Sequence, residues 1–254
     1  MNAIILAGGT EEDKLAQKHG VRNKAFLPIN DLPMIAYVVD ALLRCPYIDE
    51  IIVVGPVEDL AVSLPQGQIR FLPEQGDPID NVLAATKLLP QDEKILVCTS
   101  DIPMITPEAL SSLFVAVAER EADIYYPIIR QDDCEERYPG VKRTYAKLKD
   151  GSFTGGNVFI FNPQKVLHLA KVFKKLVEER KRPVRMCLAF GLPGLMFIFR
   201  FALGLLTVSE LERRISHILN ITGAAIYCSY PEVGTDVDKD SDLDLARRVL
   251  AAGS

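Results

Sequence analysis

Short runs of β-branched and aliphatic residues alternate along this chain with stretches of helical periodicity, and that alternation constrains the fold more than any other feature. The runs Ala3–Ala7, Glu50–Gly55, Ile69–Leu72, Lys94–Thr99, Ala122–Ile129, Asn157–Phe161 and Ala224–Cys228 read as strands. Between them, Pro33–Arg44, Pro78–Leu89 and Pro107–Arg120 each open on a proline and then space apolar residues three and four apart. This is the pattern of a helix with proline in its first turn and one buried face. Strands linked by crossover helices give an α/β three-layer sandwich around a mostly parallel mixed sheet, Rossmann-like in outline. Antiparallel pairing is expected at one edge, where Asp150-Gly151 lies between the strand-like runs of Tyr145–Phe161 and reads as a hairpin turn.

The 254 residues show no repeat and no Gly/Ser linker, so one domain over 1–254 with an inserted helical subdomain at 163–220 fits better than two independent units. Hydrophobic residues make up 48% and charged residues 25%, which excludes a disordered or fibrous chain. The net charge is −5, and Lys and Arg are scattered apart from Arg180–Arg185, so nucleic acid is not an expected partner. Five cysteines, odd in number, widely spaced and mostly set in apolar runs, suit small buried side chains in a reducing cytosol. The N-terminus has no basic stretch before its short apolar run, so no secretory signal is read and a cytoplasmic location is expected.

One stretch is discordant. Cys187–Val208 is almost wholly apolar and long enough to resemble a membrane span. It nevertheless contains Arg200, Pro193 and three glycines, and a central Arg costs roughly 2.5–3.5 kcal/mol even on insertion scales. A single crossing would also place Asp101 and Asp238 on opposite sides of the bilayer. A buried helix pair is preferred over spanning, with a peripheral membrane, lipid-substrate or dimer surface as the alternative; the chain is expected to be a monomer or homodimer.

The first strand ends in Leu6-Ala7-Gly8-Gly9, and the polar stretch Thr10–Asn23 leads to Lys24-Ala25-Phe26-Leu27-Pro28. Ligands of open α/β sheets gather at the carboxyl ends of strands, where paired glycines let backbone N–H groups approach a phosphate. The spacing is neither that of a dinucleotide fingerprint nor that of a P-loop. The strand Lys94–Thr99 runs into Ser100-Asp101-Ile102-Pro103, placing a carboxylate at a strand end. Near the C-terminus, Asp236-Val237-Asp238 precedes a short helix, Ser241–Leu250, and in extended chain Asp236 and Asp238 face the same way. Three carboxylates at such positions suit a hard cation.

In this order, the LAGG loop, Lys-x-x-x-Pro, Thr-Ser-Asp-Ile-Pro-Met, Thr-Gly-Gly-Asn and Asp-Val-Asp-Lys-Asp-Ser-Asp-Leu resemble the GT-A-like nucleotidyltransferase superfamily, and within it the molybdenum-cofactor guanylyltransferase-like NTP transferases. The likeness runs from Met1 to about Asn162 and resumes from Ala224 to Leu250. It implies a GT-A-like fold and an NTP wrapped by Leu6, Ala7, Gly8 and Gly9, with its phosphates neutralised by Lys24. It further implies Mg²⁺ on Asp101 and Asp238, with Asp236 as a second C-terminal ligand. Gly76 and Asn81 fall where the family contacts the nucleoside, and Thr154, Gly155, Gly156 and Asn157 match its acceptor-side motif. The implied reaction is transfer of NMP from an NTP to a small phosphorylated acceptor, with release of pyrophosphate. A phosphate nucleophile needs no general base, in keeping with His19, His168 and His217 standing apart from the motifs in sequence, where surface or helix-face roles are expected.

One departure stands out. Family members usually carry Gly-x-Gly-x-Arg-Met-Gly in the first loop, whereas this chain reads Glu11-Glu12-Asp13-Lys14, leaving Lys14, Lys18 or Arg22 to replace the arginine. The rival readings are a GT-A-type glycosyltransferase using Asp236-Val-Asp238 on a sugar nucleotide, and a membrane-associated scaffold organised around the apolar run.

Overall fold

The computed structural model describes residues 1–9, 13–65, 67–179 and 199–252. Strand β1 (Asn2–Leu6) lies in the middle of the main sheet, flanked in parallel by β4 (Ile51–Val54) and β6 (Ile95–Thr99), with β5 (Ile69–Leu72) parallel beyond β4. All of β4 and all but the last residues of β1 and β6 are buried, because helices cover both faces. Register pairs Leu6 with both Val54 and Thr99, so the carboxyl ends of these three strands finish level. Two β-strands of a small ribbon, β2 (Pro28–Ile29) and β3 (Leu32–Pro33), sit apart from this sheet.

The polarity then changes. Strand β10 (Val158–Phe161) is inserted antiparallel between β6 and β7 (Ile124–Arg130). The first half of β7 pairs with β10, its second half pairs antiparallel with β9 (Gly151–Gly155), and its other edge carries β11 (Gly223–Tyr227) in parallel along its length. Strands β8 (Ala146–Leu148) and β9 form the expected hairpin, with Leu148 opposite Gly151.

Proline positions two of the helices as expected. In α4 (Pro78–Thr86), Pro78 opens the helix and Asp77 caps it, accepting from the N–H groups of Ile79 and Asp80; in α5 (Pro107–Glu119), Thr106 accepts from Ala109. Pro33 differs. It ends β3 opposite Pro28, and α2 (Met34–Leu43) begins one residue later, because a φ of −66° serves an extended residue as well as a helical one.

The core is split by the sheet. One side packs Ala3, Ile5, Val53 and Cys98 against α2 and α5 residues such as Val38, Leu42, Leu110 and Leu113. The other packs Ile4, Ile52, Ile95 and Phe161 with Ala85 of α4, Val166 of α7 (Pro163–Val166), Leu169 and Ile221. A third cluster, including Leu27, Met34, Val237 and Leu243, seats α10 (Asp240–Ala252) against the β2–β3 ribbon.

Within residues 163–220 the described elements α7, α8 (Ala170–Glu179) and α9 (Val208–Leu219) are helical. Lys174 of α8 pairs with Asp77 and Asp80, fastening this layer to the start of α4. Residues 180–198, which include the run Arg180–Arg185 and most of Cys187–Val208, lie outside the described residues. Of the apolar run's described part, Arg200 forms an ion pair with Glu210 at 2.9 Å, and Phe199 and Leu203 are exposed. Among the described residues no helix is long and apolar enough to cross a membrane.

Candidate active site

The carboxyl ends of β1 and β6 carry the site. Past β1 the chain reaches Ala7, which is buried, and then the exposed Gly8 and Gly9, while Leu6 closes the strand half-buried. The side chain of Asn23 ties this loop to the turn that bears Lys24: its amide donates to the Ala7 carbonyl at 2.7 Å, and its oxygen accepts from the Ala25 N–H at 2.8 Å. Glycine at position 9 is what lets Asn23 sit there, since a Cβ would stand 2.9 Å from Asn23 Cγ. On the other flank, Gly8 lies against Glu74 and Asn81.

Asp101 follows β6 by two residues. Its backbone carbonyl accepts from the N–H of Val237 at 2.9 Å, which draws the C-terminal loop to the end of β6. Val237 is wholly buried in the third core cluster, so its neighbours Asp236 and Asp238 project away from that cluster toward Asp101. Carboxylate oxygens of Asp101, Asp236 and Asp238 lie within 4.8 Å of one another. The loop is fixed from below by Asp242 in the first turn of α10, whose carboxylate accepts from the N–H groups of Asp238 and Lys239 at 3.2 Å each.

Lys24 completes the cluster, with Nζ 2.8 Å from Asp101 Oδ2 and 2.8 Å from Asp238 Oδ1. Burial opposes its charge, but the two carboxylates outweigh that cost and hold its pKa above the usual lysine range. Burial likewise opposes ionisation of Asp238, and the Lys24 contact overcomes it, so that carboxyl is held below its ordinary value. Among the described residues Asp236 has no such cation. Burial, followed by the charges of Asp238 and Asp101, pushes its pKa up to about 6.

The donor set fits a hard divalent ion such as Mg²⁺. All three groups offer oxygen, and among the described residues Asp101 Oδ1 is buried without a hydrogen-bond partner, which a carboxylate oxygen tolerates poorly unless a cation is its intended ligand.

The remaining expected residues are placed as follows. Asn81 is 4% exposed, its oxygen accepts from the Gln75 N–H at 2.7 Å, and Gly76 has a φ of +138° that favours glycine. Both therefore shape the loop facing Gly8. Thr154 and Gly155 belong to β9, opposite Ile129 and Ile128. The Gly156 N–H donates to the Pro127 carbonyl, and the Asn157 N–H to the Val233 carbonyl, joining this segment to the turn that precedes Asp236. A Cβ on Gly155 would fall 1.8 Å from the Tyr126 hydroxyl.

Several contacts of the site leave no local signal in the sequence. Asp240 binds both Lys18 Nζ at 2.6 Å and His19 Nε2 at 2.9 Å, so His19 stands beside the acidic segment after all. Lys18 is thereby engaged with Asp240. Asp13 caps α1 (Lys14–Lys18), accepting from Leu15 and Ala16, which accounts for one of the three acidic residues of the first loop; Glu11 and Glu12 lie outside the described residues. Arg143 donates to the Gly234 carbonyl just before the acidic loop. The signal the sequence does carry is the alternate-residue run Asp236, Asp238, Asp240 and Asp242, of which Asp238 pairs with Lys24, Asp240 with Lys18 and His19, and Asp242 with the backbone of Asp238 and Lys239.

The mixed, mostly parallel sheet gathers carboxylates, a lysine and a glycine loop at its strand ends, the place where open α/β sheets bind their ligands. The sequence matches the MobA-like NTP transferase domain over residues 3–182, and the chain belongs to that family. Among solved structures, a hypothetical transferase from Thermus thermophilus superposes with a TM-score of 0.83 at 34% identity, covering 96% of this chain and 100% of that one. The 4-diphosphocytidyl-2C-methyl-D-erythritol synthase of Anaerococcus prevotii shares the fold at a TM-score of 0.60 and 14% identity, covering 98% of this chain and 95% of that one. A protein from Mycobacterium sp. strain JC1 shares it at 0.55 and 18%, covering 99% and 97%. No curated protein matches the chain.

Proposed function

We propose that this protein is a Mg²⁺-dependent nucleotidyltransferase that moves NMP from an NTP onto a small phosphorylated acceptor. The observation that carries the reading is the cluster of Asp101, Asp236, Asp238 and Lys24 at the ends of β1 and β6, beside Gly8-Gly9. An acceptor phosphate oxygen attacks the α-phosphorus of the NTP, the bond from that phosphorus to the bridging oxygen breaks, and pyrophosphate leaves. Because the attacking phosphate is already ionised near neutral pH, the task of the protein is to offset repulsion between anions and to align them.

In this reading Asp101, Asp236 and Asp238 hold Mg²⁺, which supplies charge compensation at the phosphates. The Gly8-Gly9 loop seats the phosphates, and Lys24 adds a second positive charge. The loop of Gly76 and Asn81 faces the nucleoside, and Thr154, Gly155, Gly156 and Asn157 border the acceptor side. The buried, unpaired state of Cys45, Cys98, Cys134 and Cys228 suits a reducing cytoplasm. The family assignment supports this reading.

Incubation with each NTP, Mg²⁺ and a series of phosphorylated small molecules is expected to release pyrophosphate. Turnover of preformed sugar nucleotides alone would instead establish a glycosyltransferase.

A further inference from the structure

The charge of Lys24 is already committed. Its Nζ stands 2.8 Å from each of two carboxylates, and its side chain is 17% exposed. It stands between two of the groups that would share a metal ion. Mg²⁺ takes oxygen ligands at about 2.0–2.1 Å, so an ion held by Asp101, Asp236 and Asp238 would lie within a few ångströms of Nζ. Two cations that close, in a site partly removed from water, repel each other strongly.

The two contacts of Lys24 are unequal. Asp101 is the inner partner, 18% exposed, and Asp238 is the outer one, 66% exposed. Solvent reaches the Asp238 contact, and an incoming polyphosphate would approach it from the same side. A triphosphate offers several anionic oxygens to one ammonium, enough to compete with a single exposed carboxylate.

We propose that Lys24 gates the metal site: by bridging Asp101 and Asp238 it keeps divalent-ion affinity low until a nucleotide triphosphate draws Nζ away from Asp238, so that metal and nucleotide bind with positive coupling. The identity of the releasing anion rests on the nucleotidyltransferase reading; the competition between lysine and metal does not. Coupling of this kind is reciprocal, so an ion on the carboxylates also favours the nucleotide-bound position of the lysine.

The test uses the full chain without nucleotide and Mn²⁺ alone as probe, with free Mn²⁺ read by electron paramagnetic resonance. Lys24→Met is expected to bind Mn²⁺ at least about tenfold more tightly than the wild type, from the loss of a neighbouring positive charge. Lys24→Arg, which keeps the charge, is expected to stay near the wild-type value, and Asp101→Asn to lose binding. If Lys24→Met proves unfolded by circular dichroism, Lys24→Gln provides the same comparison. Unchanged or weaker Mn²⁺ binding on removal of the charge would overturn the gate. A wild-type protein that releases no pyrophosphate from any NTP would overturn the proposed function, while the Mn²⁺ comparison would still decide whether Lys24 competes with the metal.

Discussion

The N–H of Val237 donates to the carbonyl oxygen of Asp101 at 2.9 Å, and this bond joins the two parts of the chain that supply the acidic cluster. With Val237 buried, the flanking carboxylates are turned to the side where Asp101 and Lys24 meet. The geometry of the acidic cluster is thus set by backbone pairing and core packing, not by the carboxylates themselves, which repel one another.

Substitution of a ligand should therefore spare the fold. Asp101→Ala and Asp238→Ala are each expected to lower kcat for pyrophosphate release by about 10²-fold or more, as loss of charge stabilisation at a reacting phosphate does. Melting temperatures should stay within a few degrees of wild type, because the Val237–Asp101 backbone bond needs neither side chain. Full activity in either variant would remove that residue from the metal site.

Much of this arrangement is legible in sequence because it is local. β1, β4 and β6 fall on the apolar runs because this part of the sheet is buried on both faces, and Asp236 and Asp238 share a direction because extended chain alternates. Contacts between distant segments leave no such periodicity. Lys24 meets Asp238 across 214 residues and His19 meets Asp240 across 221, and neither pairing is written in any local pattern. The insertion of β10 between β6 and β7 is equally invisible, since an apolar strand carries no mark of its neighbours. The β2–β3 ribbon rests on Asn30 with a φ of +50°, a turn too short to produce strand periodicity.

Asp236 makes stability depend on pH in a direction opposite to that of most carboxylates. Its pKa is about 6 in the fold against 3.8 for an ordinary Asp, so between those values the native state binds more protons than the unfolded chain. The contribution of this group to stability therefore falls as pH rises through that window, and the full cost is present above it. In EDTA, Asp236→Asn is expected to melt a few degrees above wild type at pH 7.5, with the gap closing toward pH 4. Calorimetry across that range checks it; a gap that widens at low pH would refute the assignment.

Gly155 sets the closeness of β9 and β7. A Cβ there would lie 1.8 Å from the Tyr126 hydroxyl oxygen and 2.6 Å from the ring carbon that bears it, so the ring itself must move. Gly155→Ala is expected to cost about 1–3 kcal/mol, as overpacking does. Adding Tyr126→Phe should recover part of that loss, since it removes the nearest clash and leaves the next. Chemical denaturation of both single variants and the double variant measures the coupling, and strictly additive losses would contradict the contact.

Asn23 links the glycine loop to the lysine turn through both ends of one buried amide. Replacing it with Ala strips the Ala7 carbonyl of a donor and the Ala25 N–H of an acceptor, at about 1–3 kcal/mol for buried groups left unpaired. The functional effect should exceed the structural one in a specific way. With the loop no longer tethered, KM for NTP is expected to rise more than kcat falls, because the phosphates lose a preformed seat while the Asp101–Asp236–Asp238 cluster keeps its own supports from Val237 and Asp242. Asn23→Asp retains the acceptor for Ala25 but sets a carboxylate against the Ala7 carbonyl, so it should impair NTP use at least as much as Asn23→Ala. Steady-state kinetics with NTP varied at saturating acceptor separates these outcomes, and a pure loss of kcat in either variant would show that Asn23 supports the cluster rather than the loop.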